Sequence, residues 1–258
     1  MLRFRSLGSG SSGNATVVEA GSGHHVRRLL VDCGLTLKAL DQRLARAGLS
    51  ASELDAVFIT HEHGDHIGCA HALALRDRIP VWMSIGTFAA VGSPGFNGLE
   101  RQATDGMAID LGEMNITPFT VPHDAREPLQ LRCSDGARTL GILTDLGHAT
   151  AHVLAQLASC NAMLLECNHE ASLLAASSYP PFLKKRVGGK YGHLSNEAAA
   201  GIARSLKHPG LQTVVAAHLS AHNNSPGLAR TAMASAMDCA AADIGVADPL
   251  HGTQWFSV

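Results

Sequence analysis

Alternating apolar and polar residues open the chain. LRFRSL, ATVVEA and VRRLLVD each predict a strand, with the turn-rich GSGSSGN between the first two. Helical spacing follows at about 36–47, with Gly48 placed to stop it. DAVFITH predicts a buried strand, and IGCAHALALRD after it has the spacing of a helix. Residues 80–145 are turn-rich and favour strands at PVWMS, MNITPFTVP, LQLRCS and RTLGILTD. From 149 the pattern alternates: helix ATAHVLAQLAS, strand AMLLE, an irregular basic stretch YPPFLKKRVGGKYG, and a helix opened by Ser195. Strand TVVAAHLS, a helix begun by Ser225-Pro226 and an edge strand in QWFSV complete the series. Each half runs strands first and helices later, so an α/β fold with two sheets packed face to face and helices outside is expected. No internal repeat or low-complexity linker interrupts it, and one domain over 1–258 is expected.

Composition narrows the function classes. Hydrophobic residues make up 46% of the 258, and 20 Lys+Arg against 22 Asp+Glu give a net charge of −2. That is globular composition without a general basic surface for nucleic acid, so a polyanion must be gripped by a local patch or by metal. The six cysteines form no CxxC pair and read as buried thiols of a reducing compartment. MLRFRSLGSGSSGN lacks the apolar core of a signal peptide, and no apolar run reaches the ~20 residues that span a bilayer. A cytoplasmic protein without membrane contact is expected.

Fifteen histidines direct attention to metal chemistry. In ITHEHGDHIG, His61, His63, Asp65 and His66 crowd within six residues, too close to converge easily on one tetrahedral ion. Apolar runs also repeatedly end in a metal-competent residue: LLV in Asp32, VFIT in His61, FTVP in His123, GILT in Asp145, MLL in Glu166 and TVVAA in His218. Carboxyl ends of strands are where α/β folds build sites. His61 and His63, two apart in extended backbone, point the same way, whereas Asp65 and His66 follow Gly64 and aim elsewhere. Two metals are therefore expected, one on His61, His63 and His123, the other on Asp65, His66 and His218, with Asp145 bridging them. N/O ligands suit Zn2+, and Mn2+ is the alternative.

HEHGDH resembles the HxHxDH signature of the metallo-β-lactamase superfamily. Asp32, His123, Asp145 and His218 follow in the order of that superfamily's motifs, over nearly the whole chain. LGSGSSGN, PHDA, LLECNHE, GHLSN and HLSAHNN are similar to its YycJ/WalJ-like branch of exonucleases and phosphodiesterases. The resemblance implies an αββα sandwich of two packed mixed sheets with outer helices and a dinuclear site at one edge. It favours His218 over His222 as the last ligand, because His218 ends the apolar run. It also implies that His193, supported by Glu166, protonates the leaving group.

Asp32 reads as a carboxylate that orients a coordinating imidazole, against a plain turn residue before Cys33-Gly34. Ser9, Ser11, Ser12 and Asn14 sit in a turn able to cradle phosphate on backbone N–H groups, with a flexible hairpin turn as the alternative. Lys184, Lys185, Arg186 and Lys190 form the densest basic run, read either as a solvated face or as contacts to a phosphate backbone. Tyr179 and Tyr191 flank it and are able to stack on a base. The remaining histidines (24, 25, 71, 148, 152, 169, 208, 222 and 251) and Glu62 are assigned no role. The expected activity is phosphodiester hydrolysis, as a DNA exonuclease, by a metal-bridging hydroxide that Asp65 or Asp145 orients. The alternatives are hydrolysis of a small cyclic phosphodiester, thioester or lactone at the same metals, and a non-catalytic metal-binding accessory protein.

Overall fold

The computed structural model describes residues 1–23 and 25–258; His24 lies outside the described residues. Three antiparallel strands, β1 (Leu2–Gly8), β2 (Ala15–Ser22) and β3 (His25–Val31), begin the first sheet. It continues in parallel through β4 (Ala56–Phe58), β5 (Val81–Met83) and β6 (Glu100–Gln102). The second sheet folds antiparallel through β7 (Ile109–Asp110), β8 (Asn115–Thr120), β9 (Leu129–Ser134) and β10 (Thr139–Leu143). It then runs parallel through β11 (Ala162–Glu166), β12 (Thr213–Ala217) and β13 (Gly245–Val246). The tail strand β14 (Phe256–Ser257) returns to the first sheet and pairs antiparallel with β1 at its edge.

Side-chain alternation along each strand loads both faces of both sheets. Phe4, Val18, Leu29 and Phe58 from the first sheet meet Ile116, Leu131, Leu140 and Leu164 from the second in a shared apolar layer. On the outer face of the first sheet, α1 (Leu37–Arg46) and α3 (Ala70–Asp77) cover Leu30, Val57 and Val81 with Leu40, Leu44 and Leu73. On the other side, α5 (Ala151–Leu157), α8 (Asn196–Leu206) and α9 (Pro226–Met237) place Val153, Ile202 and Met233 on Met163, Leu165 and Val214. The result is the expected αββα sandwich of two mixed sheets. The short helices α2 (Gly64–Ile67), α4 (Ile85–Ala90), α6 (Ala171–Ala176) and α7 (Pro181–Val187) occupy connections.

Two local readings change. YPPFLKKRVGGKYG is not irregular throughout, because Pro181–Val187 forms α7. Proline suits the first helical turn, but none of the helix's residues is buried, so no apolar periodicity marks it in the sequence. The helix expected over IGCAHALALRD is broken into α2 and α3 at Gly68, whose φ is 29°. A Cβ there would collide with the Cys33 carbonyl oxygen. Cys33 and Cys69, on either side of this crossing, lie Sγ to Sγ at 3.4 Å, both as free thiols.

These crossings pack the ligand segment against the strand ends. Asn14 N–H donates to the Asp65 carbonyl at 2.8 Å, and Cys33 N–H donates to the His66 carbonyl at 2.7 Å. A Cβ on Gly34 would overlap that same Asp65 carbonyl. Gly34→Ala is therefore expected to cost about 1–3 kcal/mol by overpacking and to lower metal content, because the segment holding Asp65 and His66 must shift. Gly201 in α8 has nothing near its Cβ position, and Gly201→Ala should stabilise by roughly 0.5–1 kcal/mol. Denaturant unfolding and metal analysis of the two variants check the contrast; equal stability of both would refute it.

Candidate metal centre

Six apolar runs end at one edge of the sandwich. The strands β3 and β4 run the same way in the first sheet, as do β8, β10, β11 and β12 in the second. Their carboxyl ends are followed or closed by Asp32, His61, His123, Asp145, Glu166 and His218. Three of these are in the left-handed region, with φ of 62° at Asp32, 55° at Asp145 and 54° at His218. Such a backbone costs a non-glycine residue of order 1–3 kcal/mol and persists only where the surroundings impose it. At Asp32 the amide donates to the Phe58 carbonyl at 2.8 Å. At His218 the amide donates to Ser9 Oγ at 2.8 Å, and the carbonyl accepts from Asn168 Nδ2 at 3.1 Å.

The side chains above this edge form four overlapping groupings, one of them Asp145, Glu166, His193 and His218. His61, His63 and His123 bring ligand atoms within 4.8 Å of one another, and so do Asp65, His66 and His218. His61 Nε2 is 3.0 Å and His123 Nε2 is 3.3 Å from His63 Nδ1. In the second set, Asp65 Oδ2 lies 3.7 Å from His66 Nε2 and 3.6 Å from His218 Nε2. Asp145 joins His61 and His66 in a third grouping and sits 3.5 Å from His218 Nε2 through its other oxygen. Its carboxylate thus lies between the sets.

A ring of buried groups orients these ligands. His66 Nδ1 faces Asp32 Oδ2 at 2.8 Å, and Asp32 also accepts from Thr60 N at 2.9 Å and Thr60 Oγ1 at 3.0 Å. Thr60 Oγ1 reaches His61 Nδ1 at 3.0 Å, while its carbonyl accepts from Leu129 N–H in the other sheet. His123 Nδ1 donates to the Gly192 carbonyl at 3.1 Å. Glu166, fully buried, accepts from Leu146 N and Leu194 N through Oε2 and faces His193 Nδ1 at 2.7 Å and His218 Nδ1 at 3.3 Å through Oε1. These partners fix ring orientation and tautomer, as partners behind metal ligands do.

Thr60, Gly192, Asn168 and Asp124 carry no role in the sequence reading. Thr60 and Asp124 sit beside assigned ligands, and Asp124, Asn168 and Gly192 fall within the PHDA, LLECNHE and GHLSN stretches. Glu62, also without a role, accepts from Arg126 N–H at 2.7 Å and ties the ligand segment to the loop after His123.

The electrostatics fit cations. Burial opposes charge on His218, but Asp145, with Asp65 and Glu166, outweighs it and pushes the imidazole up to about 10. Burial likewise opposes charge on His66, and the Asp145 and Asp32 carboxylates raise it well above the ordinary histidine value. His61 has fewer acids around it, and burial holds it well below that value. Asp145 Oδ2 and His218 Nε2 are among the buried atoms that have no hydrogen-bond partner. Asp145 Oδ2 approaches His66 Nε2 to 3.1 Å, but without hydrogen-bond geometry. Buried polar atoms left unpaired are costly, and a divalent cation satisfies both. The donor set is N/O throughout and suits a divalent metal.

The remaining predicted contacts divide. Ser11 lines a cleft of about 450 Å³ over the centre with Asp65, Tyr179, Arg186 and His193. Ser12 lines an adjoining cavity. Ser9 and Asn14 are buried and engaged inside: Ser9 on His218, Asn14 on Gly10 N, the Asp65 carbonyl and His66. Arg186 Nε pairs with Asp124 Oδ2 at 2.6 Å at the cleft wall. Lys184 and Lys185 line a different cavity of about 520 Å³ across α7, and Lys184 Nζ donates to the Ala175 carbonyl. Lys190 and Tyr191 are exposed and line neither cavity.

Asp32→Ala is expected to strand the buried Thr60 N–H at about 1–3 kcal/mol. It should also weaken metal affinity roughly 10–100-fold by freeing the His66 ring. Denaturant unfolding combined with chelator competition checks both effects; wild-type metal affinity would show that Asp32 does not orient His66.

A family model described as a beta-lactamase superfamily domain matches residues 27–219. The chain is 31% identical over 255 residues to the exodeoxyribonuclease YycJ of Bacillus anthracis, covering 98% of this chain and 95% of that protein. It is 32% identical over 251 residues to the exodeoxyribonuclease WalJ of Streptococcus pneumoniae serotype 2, covering 95% and 91%. Among solved structures, the metallo-β-lactamase fold protein YhfI from Bacillus subtilis superposes with a TM-score of 0.76 at 18% identity, over 100% of both chains. The chain therefore belongs to the metallo-β-lactamase superfamily, in the branch of YycJ and WalJ.

Proposed function

We propose that this protein is a metal-dependent phosphodiesterase that removes nucleotides from an end of DNA, and that it works in the cytoplasm. The observation that carries the reading is the convergence of two ligand trios on one edge with Asp145 between them. Identity of 31% to an exodeoxyribonuclease across 98% of the chain points to DNA as the substrate. No helix among the described residues is long and apolar enough to cross a membrane.

His61, His63 and His123 would hold one divalent ion, Asp65, His66 and His218 would hold the second, and Asp145 would serve both. Zinc suits these donors, and manganese is the alternative. Such a pair supplies an activated water and positive charge for the phosphoryl oxygens. Asp65, a quarter exposed at the cleft, would orient the attacking water as its hydrogen-bond acceptor. His193 presents Nε2 to the cleft, because its Nδ1 is turned onto Glu166 at 2.7 Å. From Nε2 it hands a proton to the departing oxygen. Glu166, fully buried, positions His193 and does not meet the substrate. Ser11 and Arg186 stand at the cleft wall, where a phosphate passes.

Degradation of end-labelled single- and double-stranded DNA and RNA, with zinc- or manganese-loaded protein, tests the reading. Stepwise shortening of DNA from one end, lost in Asp65→Ala, is the expected result. No cleavage by fully metallated protein would sink it. Asp145→Ala should lose bound metal and turnover together, whereas full metal occupancy in that variant would remove the bridging role. His193→Gln should keep its metal and lose roughly 10²–10⁴ in kcat. Metal analysis beside single-turnover rates separates the two variants.

A further inference from the structure

The largest cavity described beside the metal cleft has no assigned occupant. It measures about 880 Å³, within the roughly 300–1,000 Å³ of small-ligand sites, and shares Ser11 and Tyr179 with the metal cleft. Its other walls include Ser12, His222 and Arg230. Ser11 and Tyr179 thus stand on the boundary between this cavity and the cleft over the centre. The cavity of Lys184 and Lys185, by contrast, lies across α7 and shares only His193 with the cleft.

The lining offers what a nucleotide needs. Tyr179 and His222 stand edge to face, ring centroids 6.3 Å apart, which leaves π surface for a base. Arg230 donates from Nε to the Ile244 carbonyl at 3.1 Å, which anchors the guanidinium. No carboxylate among the described residues pairs with it, so its terminal amino groups remain for an anion. Asp248, a half-exposed carboxylate in the lining, accepts from the Leu250 and His251 amides through Oδ1, both at 2.8 Å. Ser11 and Ser12 are exposed and add hydroxyl donors along the path.

We propose that this cavity binds the nucleotide adjacent to the scissile phosphate, its base against Tyr179 and His222 and its next phosphate on Arg230. The inference rests on the phosphodiesterase reading and adds where the strand lies. It also withdraws Lys184, Lys185 and Lys190 from the substrate path.

The test compares bis(4-nitrophenyl) phosphate, which has no nucleotide, with the 4-nitrophenyl esters of thymidine 3′- and 5′-monophosphate. Wild-type protein should prefer one ester, and the preferred ester identifies which side of the bond the cavity holds. Tyr179→Ala should reduce that preference about five- to hundredfold, mainly through KM, while Tyr179→Phe keeps it. Arg230→Gln should instead lose the further gain that wild type shows when the preferred ester carries a second phosphate, as a 4-nitrophenyl ester of thymidine 3′,5′-bisphosphate does. His222→Ala, at an exposed position, should reduce the preference too and guards against misfolding of the others. An unchanged preference in all the variants, or equal losses on all three substrates, would overturn the proposal. So would a wild type indifferent to the nucleotide. If the preference holds but labelled DNA is not cleaved, the cavity assignment stands and the exonuclease reading falls.

Discussion

Carboxylates and imidazoles are packed out of water at one edge of the sandwich, and the rest of the structure is arranged around that expense. Asp32, Asp145 and Glu166 are buried among His61, His66, His123 and His218. Without compensation each such group would cost several kcal/mol to desolvate. Hydrogen bonds from Thr60, Leu146 and Leu194 cover part of the carboxylate surface. Asp145 Oδ2 and His218 Nε2 are left without a hydrogen-bond partner. The carboxylates around His66 and His218, which raise both imidazoles above the ordinary histidine value, express an excess of negative charge.

Holding that arrangement strains the backbone. Asp32, Asp145 and His218 all adopt left-handed turns where their strands end. Neither sheet alone completes the site. The first sheet supplies the ligand segment and Asp32, the second supplies His123, Asp145, Glu166 and His218, and the Thr60 to Leu129 hydrogen bond joins the two edges. The apolar layer between the sheets therefore fixes the site geometry as well as the fold. The glycine crossings at Gly34 and Gly68 let the ligand segment lie directly on the loop after Asp32.

Much of the site was legible in the chain because its residues fall at the ends of apolar runs. A strand must finish at the sheet edge, so a ligand immediately after VFIT, GILT or TVVAA is committed to that edge before the fold is known. The helix at α7 was not legible, because none of its residues is buried and no periodic stripe marks it. The phosphate reading of Ser9 and Asn14 followed the turn composition of GSGSSGN. In the fold their polar atoms serve the backbone at His218 and Asp65.

The sequence by itself determined two packed sheets with outer helices and the gathering of histidines and carboxylates at strand ends, since period, strand endings and residue type are local properties. Tertiary structure decided the distances that separate Asp145 from His66 and His218, and it buried Glu166 fully behind His193. It also divided the basic run among separate surfaces and joined a second cavity to the metal cleft. Those relations depend on groups 20 to 209 residues apart along the chain, such as Leu146 with Glu166 and Ser9 with His218. Distances of that kind are set by how two twisted sheets seat on one another, which no stretch of sequence states alone.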